Sequence, residues 1–405
     1  MSILDKQTKA FVSLSGLQSQ ALAEQQEAGF ADTVREILQQ PATWRDTAAL
    51  LRGPAIVQRL AQALTPSPSH IVLTGSGSSM YIGECLAPNL QLGLGVPVQA
   101  IAAGTLLTHW RSVLPPGPGL LISLARSGDS PESCGVVSRL LVDAPAYRHL
   151  VITCNANGKL ATLYRDDPRV TVLVLDERTN DRSLVMTSSF TNLLLAGTGL
   201  LQGKDGELSS VAVERAASSA QHVFDQHADA LAQMAQKDFT EAVYLGSGGA
   251  IGAARECALK MLEMTGGKVI TMAETYLGLR HGPMSSVHPS TLVVALLSPD
   301  PSVRAYEFDL LRELSRKGLG MAKVLVGGDI PADLLGPDDL AIELPELTTD
   351  GMSADDEVPA LLADVAVGQL LAFFRCLHLG GRPDTPSQGV LTRVVEGFVI
   401  HGDGA

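Results

Sequence analysis

Short runs of β-branched and aliphatic residues alternate with helix-length segments over most of the chain. These runs have the length of buried strands, and their alternation with helical segments predicts parallel sheets covered by helices on both faces. Five runs are followed by five more, so the pattern predicts two tandem α/β units. The predicted strands are 70–74, 97–101, 119–124, 149–154 and 170–175, then 242–245, 268–271, 291–297, 321–326 and 340–344.

The ends of the chain differ from this alternating pattern. Val34, Ile37 and Leu38 have helical spacing, and the segment around them predicts a helical arm that packs on the following unit. A polar, glycine-containing stretch at 202–210 is the predicted linker between the units. The predicted domains are an arm at 1–52, a first unit at 53–210, a second unit at 211–380 and a tail at 381–405.

Composition narrows the functional classes. The formal charge of −13 argues against nucleic-acid binding, which needs clustered lysine and arginine, and the arm has no basic cluster of a DNA reader. No secretory signal begins the chain and no apolar run approaches the ~20 residues of a membrane span, so we expect a cytoplasmic protein. Five scattered cysteines in apolar surroundings are predicted to be reduced core thiols.

The most informative motif occurs twice. A strand-like run ends in Gly75-Ser76-Gly77-Ser78-Ser79, and another ends in Gly246-Ser247-Gly248-Gly249. Small residues between a strand and a helix expose backbone N–H groups at the positive end of the helix, where phosphate binds readily. The first copy adds the hydroxyls of Ser78 and Ser79, whereas the second has Gly249 and Ala250, so we expect the second copy only to pack helix on strand.

A second polar turn follows the third strand, in the sequence Ala125-Arg126-Ser127-Gly128-Asp129-Ser130. Both turns fall at the carboxyl edge of a parallel sheet, where α/β proteins bind ligands. Ser127, Ser130 and Arg126 are therefore candidate phosphate ligands; simple helix capping by serine is the alternative. A dinucleotide site is disfavoured because Met80 replaces the third glycine of that fingerprint and no acidic residue ends the next strand.

The helix predicted at 252–264 carries a narrow charged stripe. Glu256, Lys260 and Glu263 share one face by their spacing, and most other positions are apolar. Buried charges need partners or a function. We expect Glu256 and Lys260 to form a structural pair, which leaves Glu263 as a carboxylate available for chemistry.

His281 is the remaining candidate. It lies beside Arg280 and before Gly282-Pro283, which presents it on a constrained loop, and a structural or exposed role is an equal alternative. The other histidines lack the spacing of metal ligands. The acidic stretch 350–357 is predicted to be a solvated loop, with a metal site as the less favoured interpretation.

These motifs together resemble the double sugar-isomerase (SIS) domain family over nearly the whole chain. The segments Ser127-Gly128-Asp129-Ser130-Pro131-Glu132-Ser133 and Asn180-Asp181-Arg182-Ser183-Leu184-Val185-Met186-Thr187-Ser188-Ser189 are similar to the galactosamine-6-phosphate deaminase/isomerase branch. The resemblance implies two SIS domains, each a five-stranded parallel sheet in a three-layer αβα, flavodoxin-like arrangement.

A more distant relative, the isomerase half of glucosamine-6-phosphate synthase, implies roles for matching positions. Its phosphate loops correspond to Ser78-Ser79 and to the turn at 125–130. Its proton-transfer carboxylate corresponds to Glu263, and its ring-opening histidine, supplied by the neighbouring subunit, corresponds to His281. The resemblance therefore implies at least a homodimer. It also implies substrate contacts from Thr187, Ser188 and Arg393.

The chain departs from that relative in three places. Ala125 replaces a phosphate-binding serine, Thr392-Arg393 stands near its substrate-binding lysine, and no glutaminase domain precedes the SIS units. Arginine stays protonated, which argues against a Schiff base at that position. The expected reaction is the deaminating isomerisation of a hexosamine 6-phosphate, of the galacto series, without cofactor or metal. Alternatives are glucosamine-6-phosphate deamination, simple aldose–ketose isomerisation and, in another class, a noncatalytic sugar-phosphate sensor.

Overall fold

The computed structural model describes residues 13–203, 209–347, 357–387 and 389–401. The acidic stretch lies outside these residues except for Glu357, and the middle of the predicted linker does as well. The helices are α1 (Leu14–Gln18), α2 (Leu22–Ala28), α3 (Ala31–Leu38), α4 (Gln40–Leu51), α5 (Pro54–Ala63), α6 (Ser78–Leu94), α7 (Ala103–Val113), α8 (Pro131–Asp143), α9 (Lys159–Thr162), α10 (Ser188–Gly197), α11 (Ser210–His222), α12 (Ala228–Ala235), α13 (Ala250–Met264), α14 (Tyr276–Leu279), α15 (Pro301–Lys317) and α16 (Glu357–His378).

Ten strands form two parallel five-stranded sheets. They are β1 (His70–Thr74), β2 (Val98–Ala100), β3 (Gly119–Ala125), β4 (Arg148–Thr153), β5 (Val170–Val174), β6 (Glu241–Leu245), β7 (Ile270–Glu274), β8 (Thr291–Leu296), β9 (Ala322–Gly327) and β10 (Leu340–Glu343). The first sheet has the order β2-β1-β3-β4-β5 and the second β7-β6-β8-β9-β10. The predicted fold of two tandem α/β units is confirmed, and the two sheets repeat one topology.

One strand prediction was displaced along the chain. The sequence pattern placed a strand at 268–271, whereas β7 begins at Ile270 and continues to Glu274. Gly266 and Gly267 both have positive φ, so the turn after α13 is longer than the apolar pattern suggests. In the arm, α3 ends at Leu38, and Pro41 lies in the first turn of α4, where proline is well tolerated.

The two units share a core because the helices that follow their glycine-rich turns pack against each other. At Gly252 of α13, a Cβ would lie 2.7 Å from the sulfur of Cys85 and 2.7 Å from the carbonyl oxygen of Tyr81, both on α6. Glycine therefore permits a close approach of α13 to α6. This contact brings the first turn of the first unit next to the charged stripe of the second.

Helix α16 fills the centre of the molecule. It is long and apolar enough to span a membrane by those criteria, but 94% of its most apolar window is buried inside the protein. It packs along α13, α11 and α12. These contacts identify it as a core helix, and every residue from Val358 to Cys376 is buried.

Candidate active site

The turn between β1 and α6 is built for close backbone approach. A Cβ at Gly75 would lie 2.4 Å from the Cβ of Ser79, and Gly77 has a φ of +56°. Helix α6 begins at Ser78, and no side chain caps its N-terminus. Ser78 and Ser79 are both buried. The positive end of the helix and two hydroxyls thus face the carboxyl edge of the first sheet.

The turn after β3 lies beside it, because β1 and β3 are neighbouring strands that pair Thr74 with Ser123. Ser127 accepts a hydrogen bond from the Asp129 N–H at 3.2 Å, so its own hydroxyl proton remains for another acceptor. Ser130 donates to the Glu132 carboxylate at 2.6 Å and would have to rotate to donate to a ligand. The structure therefore brings the two predicted phosphate turns together.

Arg126 is buried behind these turns. One guanidinium nitrogen, Nη1, donates to the carbonyl oxygens of Ser183 at 3.2 Å and Leu184 at 2.9 Å. Burial lowers the pKa of Arg126, and the nearby charge of Arg393 lowers it further. The two arginines therefore form a concentrated positive charge, which an anionic ligand would relieve.

Asp181 organises the segment that carries Thr187 and Ser188. Its carboxylate accepts hydrogen bonds from the Thr187 N–H at 2.8 Å and from the hydroxyl of Ser188. The Ser188 hydroxyl also accepts from Gln39 at 2.9 Å and is fully buried, so it is occupied by the protein itself. The Thr187 hydroxyl is buried without a hydrogen-bond partner among the described residues. Of these two predicted ligands, the structure leaves only Thr187 with an unused hydroxyl.

The charged stripe of α13 meets the first turn through Lys260. The Lys260 ammonium lies 2.6 Å from Glu263, 3.3 Å from Glu256 and 3.2 Å from the Ser78 hydroxyl. Lys260 and Glu256 are buried, whereas a quarter of the Glu263 side chain is exposed. Glu263 is therefore the more exposed carboxylate of this cluster.

The predicted buried pair of Glu256 and Lys260 is present. Glu263 is not left over, however, because Lys260 also contacts Glu263 and lies closer to it. Burial raises the pKa of Glu256 to about 7, against the opposing effect of Lys260. Burial alone would lower the pKa of Lys260, but its two carboxylate neighbours outweigh burial and raise it. Lys260 therefore stays charged beside Glu263.

A cavity of about 700 Å³ opens next to Glu263. Its walls are the end of α13, the end of α16 and the tail that follows, and they include Leu262, Glu263, Lys268, Arg382, Ser387 and Leu391. This volume is within the range of small-molecule sites. Of the predicted site residues, only Glu263 lines this cavity; the serines of the two phosphate turns do not.

The tail reaches the predicted phosphate region, whereas the loop that carries His281 does not. Arg393 donates to the side-chain and main-chain oxygens of Asn180, which places it near Arg126. His281 lies on the exposed loop after α14, and it does not line the cavity beside Glu263. Within one chain, the structure joins Arg393 to the predicted phosphate region and leaves His281 apart.

The second glycine-rich turn already has an anion. The Glu357 carboxylate accepts a hydrogen bond from the Gly249 N–H at 3.2 Å, and it would contact a Cβ placed at Gly248 or Gly249. In the neighbouring turn, the Asp300 carboxylate caps α15 by accepting from the Ser302 N–H. The helices that follow the two turns of the first unit have no side-chain cap, whereas carboxylates of the protein occupy the corresponding turns of the second unit. This difference is consistent with a packing role for the second glycine-rich turn.

Sequence reasoning missed the residues that hold the site from behind. Glu36 of the arm is buried and accepts hydrogen bonds from the N–H groups of Arg182 and Ser183. Burial, with a contribution from Asp181, raises the pKa of Glu36 to about 7. Asp384 of the tail accepts from the N-terminus of α3. The hydrogen-bond partners of Glu36 and Asp384 are remote in sequence, so no local pattern indicates these contacts. The only signal in the sequence is the presence of an acidic residue in an otherwise apolar or turn segment.

The described residues include no group of three or more histidine, cysteine, aspartate or glutamate side chains placed to hold a metal ion. All five cysteines are buried and unpaired. Burial raises the pKa of the Cys85 and Cys257 thiols well above the usual value, which keeps them protonated and unreactive.

Comparison with known proteins gives several close matches. A protein of Streptomyces coelicolor, provisionally named a D-galactosamine-6-phosphate deaminase AgaS, is 38% identical over 91% of this chain and 95% of its own length. The D-galactosamine-6-phosphate deaminase AgaS of Shewanella sp. is 34% identical over 91% of both chains. No family model matches the chain.

Among solved structures, the tagatose-6-phosphate ketose/aldose isomerase of Escherichia coli has a TM-score of 0.81 and 32% identity. The match covers 92% of this chain and 97% of that one. The similarity extends over both sheets and is therefore a match of the whole two-unit architecture.

Proposed function

The chain belongs to the AgaS family of double-SIS sugar-phosphate enzymes, and we propose that it converts D-galactosamine 6-phosphate and water to D-tagatose 6-phosphate and ammonia. The observation that carries the proposal is the contact of Lys260 with both Ser78 and Glu263. It joins a phosphate-type turn of the first unit to a carboxylate of the second. In this division of roles, the first unit binds the phosphate and the second supplies the proton-transfer group.

Phosphate binding uses the two adjacent turns of the first sheet. Ser78, Ser79, Ser127 and Ser130 supply hydroxyls, and the uncapped starts of α6 and α8 add positive potential. Arg126 and Arg393 supply the charge. Phosphate neutralises both arginines, which in the empty site repel each other. Ala125, at the place of a serine in the related synthase, contributes no hydroxyl, and the arginines compensate for that contact.

Glu263 moves the proton between adjacent carbons of the open-chain sugar. As a carboxylate it removes the proton from C2, and as a carboxylic acid it returns that proton to C1. One group serves both positions because C1 and C2 are neighbours. Lys260 lies 2.6 Å from this carboxylate and forms a salt bridge with it.

Loss of ammonia follows from the same proton transfer. Moving the proton from C2 to C1, while the aldehyde oxygen gains the proton that the amino group loses, converts the amino aldehyde into a 2-imine with a C1 hydroxyl. Water adds to C2, the carbon–nitrogen bond breaks and ammonia leaves, which gives the 2-ketose phosphate. Lys260 is engaged by two carboxylates, and the residue at position 393 is an arginine and not a lysine, so this proposal uses no covalent bond between enzyme and sugar.

Ring opening precedes these steps. In our proposal His281 performs it from the neighbouring subunit of a homodimer in the cytoplasm. The exposure of His281 and its separation from the cavity beside Glu263 support a role across an interface. A neutral imidazole can accept the anomeric hydroxyl proton and donate to the ring oxygen near neutral pH.

The decisive experiment measures ammonia release from galactosamine 6-phosphate and, in parallel, from glucosamine 6-phosphate, with tagatose 6-phosphate and fructose 6-phosphate as the products identified. We expect release from the galacto sugar, with tagatose 6-phosphate formed in equal amount. Release from the gluco sugar alone would assign the other specificity. Ketose formation without ammonia would indicate simple isomerisation, and tight binding without turnover would indicate a sensor.

A further inference from the structure

We propose that Asp384 is a positioning residue that holds Arg126 and Arg393 in place in the phosphate site. The inference rests on the function proposed above. Asp384 lies in the tail between the end of α16 and Arg393. It touches neither Arg126 nor Arg393 in the described contacts. Its bonds reach the segments that hold them.

The carboxylate of Asp384 is bound at the N-terminus of α3. It accepts from the Thr33 N–H at 2.8 Å, the Thr33 hydroxyl at 2.7 Å and the Asp32 N–H at 3.3 Å. Helix α3 has no side-chain cap of its own at this end, so a residue from the other end of the chain supplies one. The negative charge is further stabilised by the helix dipole.

The backbone of Asp384 fixes the segment that holds Arg126. Its carbonyl oxygen accepts from the Leu184 N–H at 3.0 Å, and its N–H donates to Gly29 at 2.8 Å. The carbonyl oxygen of the same Leu184 accepts from Arg126 at 2.9 Å. One residue of this segment, Leu184, is therefore held between Asp384 on one side and Arg126 on the other.

The same anchor determines where the tail leaves the arm. Arg382 donates to the carbonyl oxygen of Glu27 at 2.6 Å, and its side chain packs on Gly29. Beyond Asp384 the tail runs along the cavity wall to Arg393, which binds Asn180. Asn180 and Leu184 belong to one short segment, so Asp384 acts on both arginines through it.

Helix α3 holds this segment a second time. Glu36, one turn after Thr33, accepts from the N–H groups of Arg182 and Ser183. The first turn of α3 therefore binds the tail, and its second turn binds the segment that contacts Arg126. This arrangement gives the arm a role in substrate binding, beyond covering the first unit.

The test compares D384A with D300A, because Asp300 caps α15 in the same way. Asp300 accepts from the Ser302 N–H at 2.8 Å and the Ser302 hydroxyl at 2.6 Å, and its helix belongs to the second unit. Both variants lose one helix cap, so both should lower Tm by a few degrees. Only D384A should raise KM, by about tenfold, because a weakened arginine–phosphate contact costs binding energy. The kcat of D384A should stay within about twofold, since Glu263 is untouched.

Inorganic phosphate, used as a competitive inhibitor, provides a second readout. Its inhibition constant should rise with KM in D384A and stay unchanged in D300A. In an R393A background, D384A should raise KM by a clearly smaller factor than in the wild type, because part of its effect passes through Arg393. Equal KM values for D384A and wild type, or the same factor in both backgrounds, would overturn the inference. Absence of wild-type turnover would instead refute the proposed function, and phosphate binding measured by calorimetry would still test Asp384.

Discussion

Replacement of Glu263 by glutamine tests the centre of the mechanism with little structural disturbance. Glutamine has nearly the same shape and keeps a carbonyl oxygen for Lys260, which lies 2.6 Å from the present carboxylate. Lys260 also keeps its contacts with Glu256 and Ser78. The E263Q protein should therefore fold, retain its first turn and bind phosphate as the wild type does.

The expected loss in rate follows from the chemistry that is removed. An amide cannot take the C2 proton, and general acid–base catalysis by a positioned side chain contributes about 10²–10⁴ in rate. The loss corresponds to about 3–5 kcal/mol of transition-state stabilisation. It should fall on kcat, because Glu263 acts on the reacting carbons and not on the phosphate.

The assay is ammonia release at saturating galactosamine 6-phosphate, followed together with incorporation of solvent deuterium into the ketose product. E214Q is the control variant, since Glu214 forms an exposed ion pair with Arg45 of the arm. E214Q should behave as the wild type. Unchanged turnover in E263Q would refute the role of this carboxylate, and a parallel loss of phosphate affinity would show that the site had been distorted instead.

Three further predictions follow from the same structure. Mixing H281A with E263Q subunits should recover a fraction of the activity that each lacks alone, because a mixed dimer holds one intact site; no recovery would place His281 in its own subunit's site. S79A should weaken phosphate binding and S247A should not, as measured by calorimetry; equal losses would contradict the asymmetry of the two turns. His149 is buried, neither of its ring nitrogens has a hydrogen-bond partner among the described residues, and burial lowers its pKa from 6.5 to about 4. Below pH 6.5 His149 is protonated in the unfolded chain but stays neutral in the native state. The free energy of unfolding should therefore fall towards pH 4, by up to about 3 kcal/mol from this residue. H149L should flatten that part of the pH profile of urea unfolding; an unchanged profile would refute it.

The fold was accessible from the sequence because its signals are local. Each strand is a short apolar run, and the glycines of the first turn are required by contacts within a few residues, such as that of Gly75 with Ser79. The displaced strand β7 shows the limit of this approach. Two consecutive glycines with positive φ lengthened the preceding turn, and hydrophobicity alone does not report backbone conformation.

The candidate site was only partly accessible for a related reason. Helical spacing grouped Glu256, Lys260 and Glu263 correctly, but it did not say which carboxylate lies nearer the ammonium, since side-chain geometry and the neighbouring Ser78 decide that. The support given by Glu36 and Asp384 involves partners more than a hundred residues away. Such contacts are created by tertiary packing, and one sequence contains no periodic trace of them.

The glycine contact between α6 and α13 sets the distance between two parts of the candidate site. Because Gly252 lets these helices touch, the turn that starts α6 and the carboxylate near the end of α13 are held together by direct helix packing. In the proposed mechanism this packing sets the spacing between the bound phosphate and the reacting carbon. We therefore expect a sugar with its phosphate at C1, or with a chain one carbon shorter, to present the wrong atom to Glu263. A larger side chain at position 252 should change the substrate length that is accepted.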